Sequence, residues 1–342
     1  MSHYTPSRRR LLRDSSTLAL GGGALGLLGP AGRLLAQDNR ILQWGSSSLG
    51  STGYVIITVL AAAVSRFTDL RNSALSTAGG AENMALLGEG IIDFGQTTAT
   101  DWQPALTGTG RYEGAPVEAQ QMFSYTIWNI SPMVPADSGI ESLEDLKGKR
   151  VMPAAAGGAT TGLWKTLFEA AGLYDEVEWT YGSWNETYNA ARTGAADCIP
   201  ILLTNGRPSP RVTELEAAMD MRVLPLSEEL LQKANELNPG VGWAVVKPGS
   251  TEFVSEPTLM VSFAGILAAH PRIDEDTAYT ICKAVFENAE YIREQGVQLQ
   301  DVSLEFATRH LIPAYPVHPG AARYFKEQGV WRDDLTVAGE GA

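Results

Sequence analysis

Short apolar runs that stop at Gly and Ser alternate along the chain with segments whose apolar residues recur at helical spacing. Residues 41–54 (ILQWGSSSLGSTGY) contain an apolar run, a Gly/Ser loop and the start of a helix predicted over 54–67. The same order returns where a strand predicted over 149–155 ends in AGGATTG and a helix is predicted over 160–171. This alternation predicts an α/β fold with mainly parallel sheet covered by helices on both faces.

The order of the predicted elements divides the chain into two lobes. The strand predicted over 121–130 runs into Pro132, which indicates a crossing from one lobe to the other. We expect lobe I at 40–130 plus 245–335 and lobe II at 131–240, with a ligand cleft between them.

Residues 1–36 have the pattern of an export signal. Arg8, Arg9 and Arg10 precede a mild apolar run at 17–28 that is too short to span a bilayer comfortably, and cleavage is expected after Ala36. The arginines resemble those of the twin-arginine route. The alternative is a membrane anchor. An exported chain would be periplasmic.

The chain is acidic, with 39 Asp and Glu against 26 Lys and Arg and a formal net charge of −13. Residues 1–36 carry five Arg and one Asp, so their removal changes the net charge to −17. This balance argues against nucleic acid and anionic lipid surfaces as partners. It does not exclude a small anion, because distant charges are screened within about 8 Å at physiological ionic strength.

The cysteines and histidines indicate neither a metal site nor a cofactor site. Cys198 and Cys282 both lie in apolar segments, so either two buried free thiols or a bridge formed in an oxidising periplasm is expected. His270, His310 and His318 are scattered, and no phosphate loop or nucleophile elbow is present. We therefore expect no enzyme. A periplasmic α/β hydrolase whose triad is assembled by the fold remains an alternative.

Hydroxyl and glycine residues at predicted helix starts point to an anion site, because the first N–H groups of a helix have no intrahelical acceptor. The alternative is that they form only turns and caps. Trp184 and Trp243 are weaker candidates for the cleft wall. The candidate ligand-binding residues are Ser47, Ser48, Tyr54, Gly80, Asn83, Thr97, Thr98, Trp102, Gly158, Ala159, Thr160, Thr161, Trp164, Asn205, Arg207 and Pro208.

Arg207 is the candidate partner of a ligand carboxylate. It follows a buried apolar strand predicted over 197–203 and precedes Pro208 and Pro210. Its planar guanidinium offers two parallel hydrogen bonds to a carboxylate. The alternative is a surface Arg that balances Glu214.

Four segments together carry a family resemblance. They are the glycine-rich loop with its Tyr at 45–54, TAGGAEN at 77–83, SLEDLKGKRV at 142–151 with the following Gly157 and Gly158, and the stretch 206–215 together with HPGA at 318–321 and Tyr324. In this order, over residues 40–332, the chain resembles the TAXI family of TRAP transporter solute-binding proteins.

The resemblance implies a two-lobed periplasmic-binding-protein type II fold that closes on a small organic anion. The ligand classes implied are glutamate, 2-oxoglutarate and related dicarboxylates, and the implied partner is an ion-driven TRAP permease with fused small and large subunits. A monomer is expected. The chain has Tyr54-Val55-Ile56-Ile57 where the family usually has Tyr-Pro-Leu-Gly, which leaves the identity of the ligand open. A binding protein of an ABC importer is the alternative.

Overall fold

The computed structural model describes residues 40–340, so the predicted export signal lies outside the described residues. Within them strands and helices alternate over most of residues 41–246, and four helices follow the last strand. The strands are β1 (Ile41–Gly45), β2 (Arg71–Leu75), β3 (Phe94–Thr98), β4 (Gln120–Pro135), β5 (Arg150–Val151), β6 (Glu178–Trp179), β7 (Ile199–Thr204), β8 (Arg207–Pro208), β9 (Met221–Val223), β10 (Gly242–Val246) and β11 (Thr258–Ala269). The helices are α1 (Thr52–Phe67), α2 (Gly80–Gly88), α3 (Ala99–Thr107), α4 (Ala159–Ala170), α5 (Trp184–Thr193), α6 (Pro210–Glu216), α7 (Glu228–Leu237), α8 (Glu275–Glu287), α9 (Ala289–Arg293), α10 (Leu304–Arg309) and α11 (Pro319–Glu327).

The predicted α/β class is confirmed, but the sheet is mixed rather than mainly parallel. Its main path runs β2-β1-β3-β11-β4-β7-β8, with β10 paired to β11 and β9 paired to β4. Among the strands described between residues 40 and 340, only the pairs β1/β2, β1/β3 and β5/β6 are parallel. The long pair β4/β11 is antiparallel from Val261 opposite Ile130 to Ala269 opposite Gln120. The prediction of a mainly parallel sheet was wrong, because the order of strands and helices along the chain does not reveal the long antiparallel pair β4/β11.

Strand β4 joins the two halves of this two-lobed fold. Its first part pairs with β11, while its last part pairs with β7 and β9. The strand predicted over 121–130 therefore continues through Pro132, which lies opposite Pro200 of β7. A proline lacks the N–H donor, but a strand tolerates it where the ladder does not need that donor. The lobe boundaries predicted near 131 and 240 stay a prediction.

The predicted helices at the two Gly/Ser loops are confirmed within two residues as α1 and α4. Helix α3 was missed, because Pro104 lies inside it and the following Gly- and Thr-rich stretch indicated a loop. Helices α8 and α9 follow one another and are separated at Asn288, whose φ of −113° and ψ of 25° are not helical.

The two cysteines are both free and both buried. Burial in apolar surroundings raises the pKa of the Cys198 and Cys282 thiols far above the usual range for cysteine, so neither is a reactive thiolate. Between residues 40 and 340 no helix is both long and apolar enough to cross a membrane.

Helix α11 packs so closely on α8 that one glycine is required at its start. A Cβ atom placed on Gly320 would lie 2.1 Å from the carbonyl oxygen of Glu275 and 2.7 Å from the backbone N of Tyr279. We predict that Gly320→Ala lowers the free energy of unfolding by about 2 kcal/mol, because rigid backbone atoms must move apart. Urea denaturation measures this change.

Gly162 is the matched control, since it lies on an exposed face of α4 and a Cβ atom there would have no neighbour within 4 Å. Gly162→Ala is expected to raise the free energy of unfolding by up to about 1 kcal/mol, because alanine restricts the unfolded chain. Equal effects of the two substitutions would contradict the packing argument.

Candidate functional site

A cavity, partly open to solvent, lies among the ends of β1 and β3, the two long strands and the loops before α2, α4 and α5. Its lining comes from segments that are far apart in the chain. The lining residues are Ser47, Ser51, Thr52, Gly53, Ala78, Gly79, Gln96, Thr98, Trp128, Ala154, Ala155, Gly158, Ala159, Thr160, Trp184, Leu202 and Phe263.

Five helices begin at the cavity wall. The first-turn N–H groups of a helix lack intrahelical acceptors, and each helix start carries up to about half a positive elementary charge. Ser51 caps α1 with its own side chain, which accepts from the N–H of Tyr54. By contrast α2 and α4 have the N-caps Gly79 and Gly158, which have no side chain to accept a hydrogen bond. The first turns of α2 and α4 therefore have no side-chain cap, and of their backbone donors the N–H of Glu82 is already used by the carbonyl oxygen of Gly157.

The starts of α2 and α4 touch through glycine. Gly79 has a φ of +123°, and a Cβ atom there would lie 3.3 Å from the Cα of Gly158. A Cβ atom on Gly158 would lie 2.9 Å from the carbonyl oxygen of Ala78. The backbone N–H of Glu82 donates to the carbonyl oxygen of Gly157 across this contact, at 3.3 Å. The two helix starts are thus in direct backbone contact beside the cavity.

Aromatic side chains form the other side of the cavity. Trp128 of β4 lies opposite Phe263 of β11 in the register, and their ring centroids are 5.7 Å apart. The indole N–H of Trp128 donates to Oγ1 of Thr52 at 2.9 Å, which fixes the ring against the start of α1. Trp184 and Leu202 complete this apolar surface. The surface suits the apolar body of a solute.

No charged side chain lines the cavity among residues 40–340. The lining includes the amide of Gln96, a residue only 6% exposed whose Oε1 has no hydrogen-bond partner in the described chain. A buried polar atom without a partner costs free energy unless a ligand or water satisfies it. Nor does any group of three or more His, Cys, Asp or Glu among the described residues have an arrangement that could hold a metal ion.

Asp101 is a buried carboxyl group directly behind the lining. The backbone N–H and the hydroxyl of Thr98 donate to its Oδ2 at 2.8 and 2.9 Å. A Cβ atom on Gly80 would lie 1.9 Å from the same oxygen, so the carboxyl group packs against the first residue of α2. Burial raises the pKa of Asp101 to about 6, and the hydrogen bonds from Thr98 and the charge of Arg111 oppose this increase.

Five of the sixteen candidate residues line the cavity, and they come from both predicted glycine loops and from β3. The weaker candidate Trp184 also lines it. The five are Ser47, Thr98, Gly158, Ala159 and Thr160.

Another group of candidates supports the lining from behind. Asn83 donates to the carbonyl oxygens of Ser46 and Gln96, and Thr161 donates to that of Ala155. These contacts position the loops before the helices. Four more candidates lie behind the lining: Ser48, Tyr54, Gly80 and Thr97. Ser48 accepts from the N–H of Trp184, and Thr97 donates to the carbonyl oxygen of Ile266. The N–H of Tyr54 donates to Ser51, and Gly80 is the first residue of α2.

Two aromatic candidates belong to the hydrophobic core. Trp102 is fully buried, stacks on Tyr315 at a centroid distance of 5.4 Å and donates its indole N–H to Thr97. Trp164 is fully buried and stacks on Phe168 at 5.8 Å. The weaker candidate Trp243 lies in a separate surface groove. None of these three rings lines the cavity in the described structure.

Arg207 and Pro208, which form β8, lie outside the cavity, as does Asn205 in the turn between β7 and β8. Nη2 of Arg207 is 2.8 Å from Oδ1 of the buried Asp301, and its Nε donates to the carbonyl oxygen of Val297 at 3.1 Å. Nη2 is not aligned for a hydrogen bond, so the contact with Asp301 is an ion pair defined by distance. Asn205 donates to the same carboxylate oxygen.

Sequence reasoning missed the residues that lie inside strands. Gln96 stands near the carboxyl end of β3, where ligands of open α/β sheets bind, so the strand-end rule pointed to its neighbourhood. Trp128 and Phe263 are far apart in the chain and meet only through the register of β4 and β11. No local sequence pattern indicates that these two side chains lie next to each other.

Asp101→Asn tests the burial of this carboxyl group. Because its folded-state pKa lies above the ordinary 3.8, the folded protein binds this proton more tightly than the unfolded chain. The stabilisation that comes from this tighter proton binding is fully present below about pH 4. It is lost as the pH rises to about 6 and stays lost at higher pH. We predict that stability shifts towards the variant by about 3 kcal/mol between about pH 4 and pH 7, measured by urea denaturation.

Asp145→Asn is the control, because its effect on stability should depend on pH in the opposite direction to that of Asp101→Asn. Hydrogen bonds from Glu141 and Ser142 lower the pKa of this exposed carboxyl group, so wild type should gain stability relative to Asp145→Asn as the pH rises. A stability difference for Asp101→Asn that does not change with pH would show that Asp101 ionises as in water.

Arg207→Ala tests the ion pair with Asp301. The side chain of Asp301 is 7% exposed and that of Arg207 is 31% exposed, so removal of the guanidinium should lower the free energy of unfolding by about 1 to 3 kcal/mol. Ligand affinity should stay within about twofold. The control Arg211→Ala removes the exposed pair with Glu214 and should cost less than about 0.5 kcal/mol. A tenfold loss of affinity in Arg207→Ala would place this side chain at the ligand instead.

Solved structures that match the chain include transport proteins from several bacteria. The periplasmic aliphatic sulphonate binding protein SsuA from Escherichia coli is 18% identical, covers 76% of this chain and 77% of its own, and gives a TM-score of 0.42. The binding protein component of an ABC phosphonate transporter from Pseudomonas aeruginosa is 14% identical, with coverages of 78% and 81% and a TM-score of 0.49.

A family match extends over residues 45–329, from the end of β1 to the turn after α11. The family is described as NMT1-like, and the match does not single out the TAXI receptors whose motifs the chain resembles. Because the match spans most of the 342 residues, the chain belongs to the NMT1-like family.

Proposed function

We propose that this protein is an extracytoplasmic solute-binding protein that holds a small organic anion in the cavity between its lobes. The observation that carries the proposal is the convergence of five helix starts, two of them with glycine N-caps, on one cavity. Helix starts bind anions because the backbone N–H groups and the helix dipole both favour negative charge. The predicted export signal at residues 1–36 supports a periplasmic location.

Binding rather than turnover is the proposed activity. A nucleophile needs a general base within hydrogen-bond reach. No histidine of the described chain lines the cavity, and His318 instead caps α11 and contacts the carbonyl oxygen of Ile273. Burial lowers the pKa of His318, which keeps it neutral near pH 7. The contacts of His318 therefore stabilise the fold.

A membrane permease is the proposed partner, and an ATP-driven importer is proposed ahead of a TRAP permease, because the family match does not favour TRAP receptors. The TRAP permease stays the second candidate, since the four segments listed above resemble TAXI receptors. Gene neighbours distinguish the two: an ATPase gene supports the first, and a long fused permease gene supports the second.

The proposed function is tested by titration of the exported chain with small carboxylates, sulfonates and phosphonates, each beside a neutral amide or alcohol of the same shape. Trp128 and Trp184 line the cavity, so binding should change the tryptophan emission. Saturable binding of an anion with no binding of its neutral counterpart is the expected result. Binding of sugars or cations alone would reject the proposal.

Two adjacent threonines provide a matched pair of variants. Thr160 lines the cavity in the first turn of α4, whereas the hydroxyl of Thr161 donates to the carbonyl oxygen of Ala155 at 2.7 Å. We predict that Thr160→Val lowers anion affinity about tenfold, because a hydrogen bond to a charged group is worth about 1.5 kcal/mol or more. Calorimetry measures this affinity.

Thr161→Val should instead lower the free energy of unfolding by about 1 kcal/mol and leave affinity within about twofold. If Thr161→Val weakens binding as much as Thr160→Val does, the ligand does not lie at the surface described for this cavity.

A further inference from the structure

The cavity wall restricts the charge of a ligand. The lining contains backbone N–H groups, hydroxyls, one amide and aromatic rings, and within residues 40–340 it contains no Lys, Arg, Asp, Glu or His. The buried Oε1 atom of Gln96 has no partner in the described chain, which is an independent sign that a polar group of a ligand belongs here. Because an amide oxygen accepts hydrogen bonds, the group that it calls for is a donor.

We infer that the ligand is a singly charged organic anion with a flat apolar body, and that dicarboxylates and amino acids bind poorly. This inference rests on the proposed function and names the class of solute. It differs from the glutamate and 2-oxoglutarate class that the TAXI resemblance implies.

The available positive charge is at most enough for one negative charge. Each helix start supplies up to about half an elementary charge, so α2 and α4 together offer at most about one. The start of α2 offers less than this limit, because Glu82 lies in its first turn, its carboxylate accepts from the N–H of Ala78 and its own N–H donates to Gly157. The starts of α1 and α3 are already partly satisfied by their capping side chains. The positive charge at Gly79 and Gly158 can therefore favour one negative charge but not two.

A second negative charge would have no partner. It would lie against Trp128, Trp184, Phe263 or Leu202, and an unpaired buried charge carries a large desolvation penalty. Asp101 adds repulsion, because it is separated from the cavity only by Thr98 and by the first turn of α2. An amino acid meets the opposite difficulty, since no carboxylate among the described lining residues faces its ammonium group.

The apolar body of the ligand has a defined place. Trp128 and Phe263 are neighbours across the β4/β11 ladder, and the hydrogen bond to Thr52 holds the indole. An aromatic surface next to backbone donors favours a molecule with a charged head and a flat apolar body, because aromatic rings contribute both apolar area and stacking.

Calorimetry on the full chain at about pH 8, where simple carboxylates are ionised, tests the charge rule with matched probes. The probes are benzoate, benzenesulfonate, terephthalate, benzamide, acetate and glutamate. One of the two aromatic monoanions should bind at least about tenfold more tightly than terephthalate, benzamide, acetate and glutamate.

The outcomes separate this inference from the proposed function. If terephthalate or glutamate binds as tightly as the aromatic monoanions, the inference is wrong and the proposed function stands. If acetate binds as tightly as benzoate, the apolar body is not part of recognition and the inference is also wrong. If no anion in the panel binds, both fail.

Phe263→Ala examines the aromatic wall directly. It should lower the affinity for benzoate or benzenesulfonate about tenfold and that for acetate less than about twofold. Phe253→Ala, at a partly buried ring outside the cavity, is the control and should change neither. Circular dichroism shows whether the variants fold, and Phe263→Leu replaces Phe263→Ala if the latter does not. Equal losses for benzoate and acetate would overturn the assigned role of the ring.

Discussion

The close approach of two glycine-containing backbone segments is the constraint on which the site depends. The start of α2 and the loop before α4 are far apart in the chain and meet where side chains would collide, at Gly79, Gly157 and Gly158. Backbone N–H groups from both segments can face one small space only if no Cβ atom stands between them. The same contact bounds one side of the cavity and makes two helix dipoles act on it together. The shape of the cavity and the donors that face it therefore depend on the same few atoms.

The mixed sheet explains how donors and an apolar wall come to lie side by side. The parallel strands β1 and β3 place the starts of α1 and α3 at one edge, because the carboxyl ends of parallel strands lie together. The antiparallel strands β4 and β11 are neighbours in the middle of the sheet and bring Trp128 and Phe263 to the same place. A wholly parallel sheet would supply helix starts on both sides but no through strand to carry this wall.

Local chemistry made part of the site predictable from the sequence. Gly and Ser at a strand end indicate a helix start whatever the rest of the chain does, so Ser47 and the residues around Gly158 could be assigned to loops before helices, and these loops line one cavity. Their role in ligand binding stays a prediction. Partners at long range were not predictable. Arg207 stands at a strand-to-helix junction, as expected, but its partner Asp301 is 94 positions away and only the fold brings it there. Trp102 likewise stacks on Tyr315, which no local pattern indicates.

An acidic chain can hold an anion because the two effects act over different distances. The net charge of −13 is spread over the surface and is screened by salt, whereas helix dipoles at the cavity act within a few ångströms of a partly dehydrated ligand. Backbone dipoles are also fixed in place and do not titrate. Since the lining has no ionisable side chain in the described chain, any pH dependence of binding near neutrality should originate behind the lining, where the pKa of Asp101 is raised to about 6 by burial. Protonation of Asp101 removes a negative charge beside the same helix starts, so anion affinity should increase as the pH falls through this value.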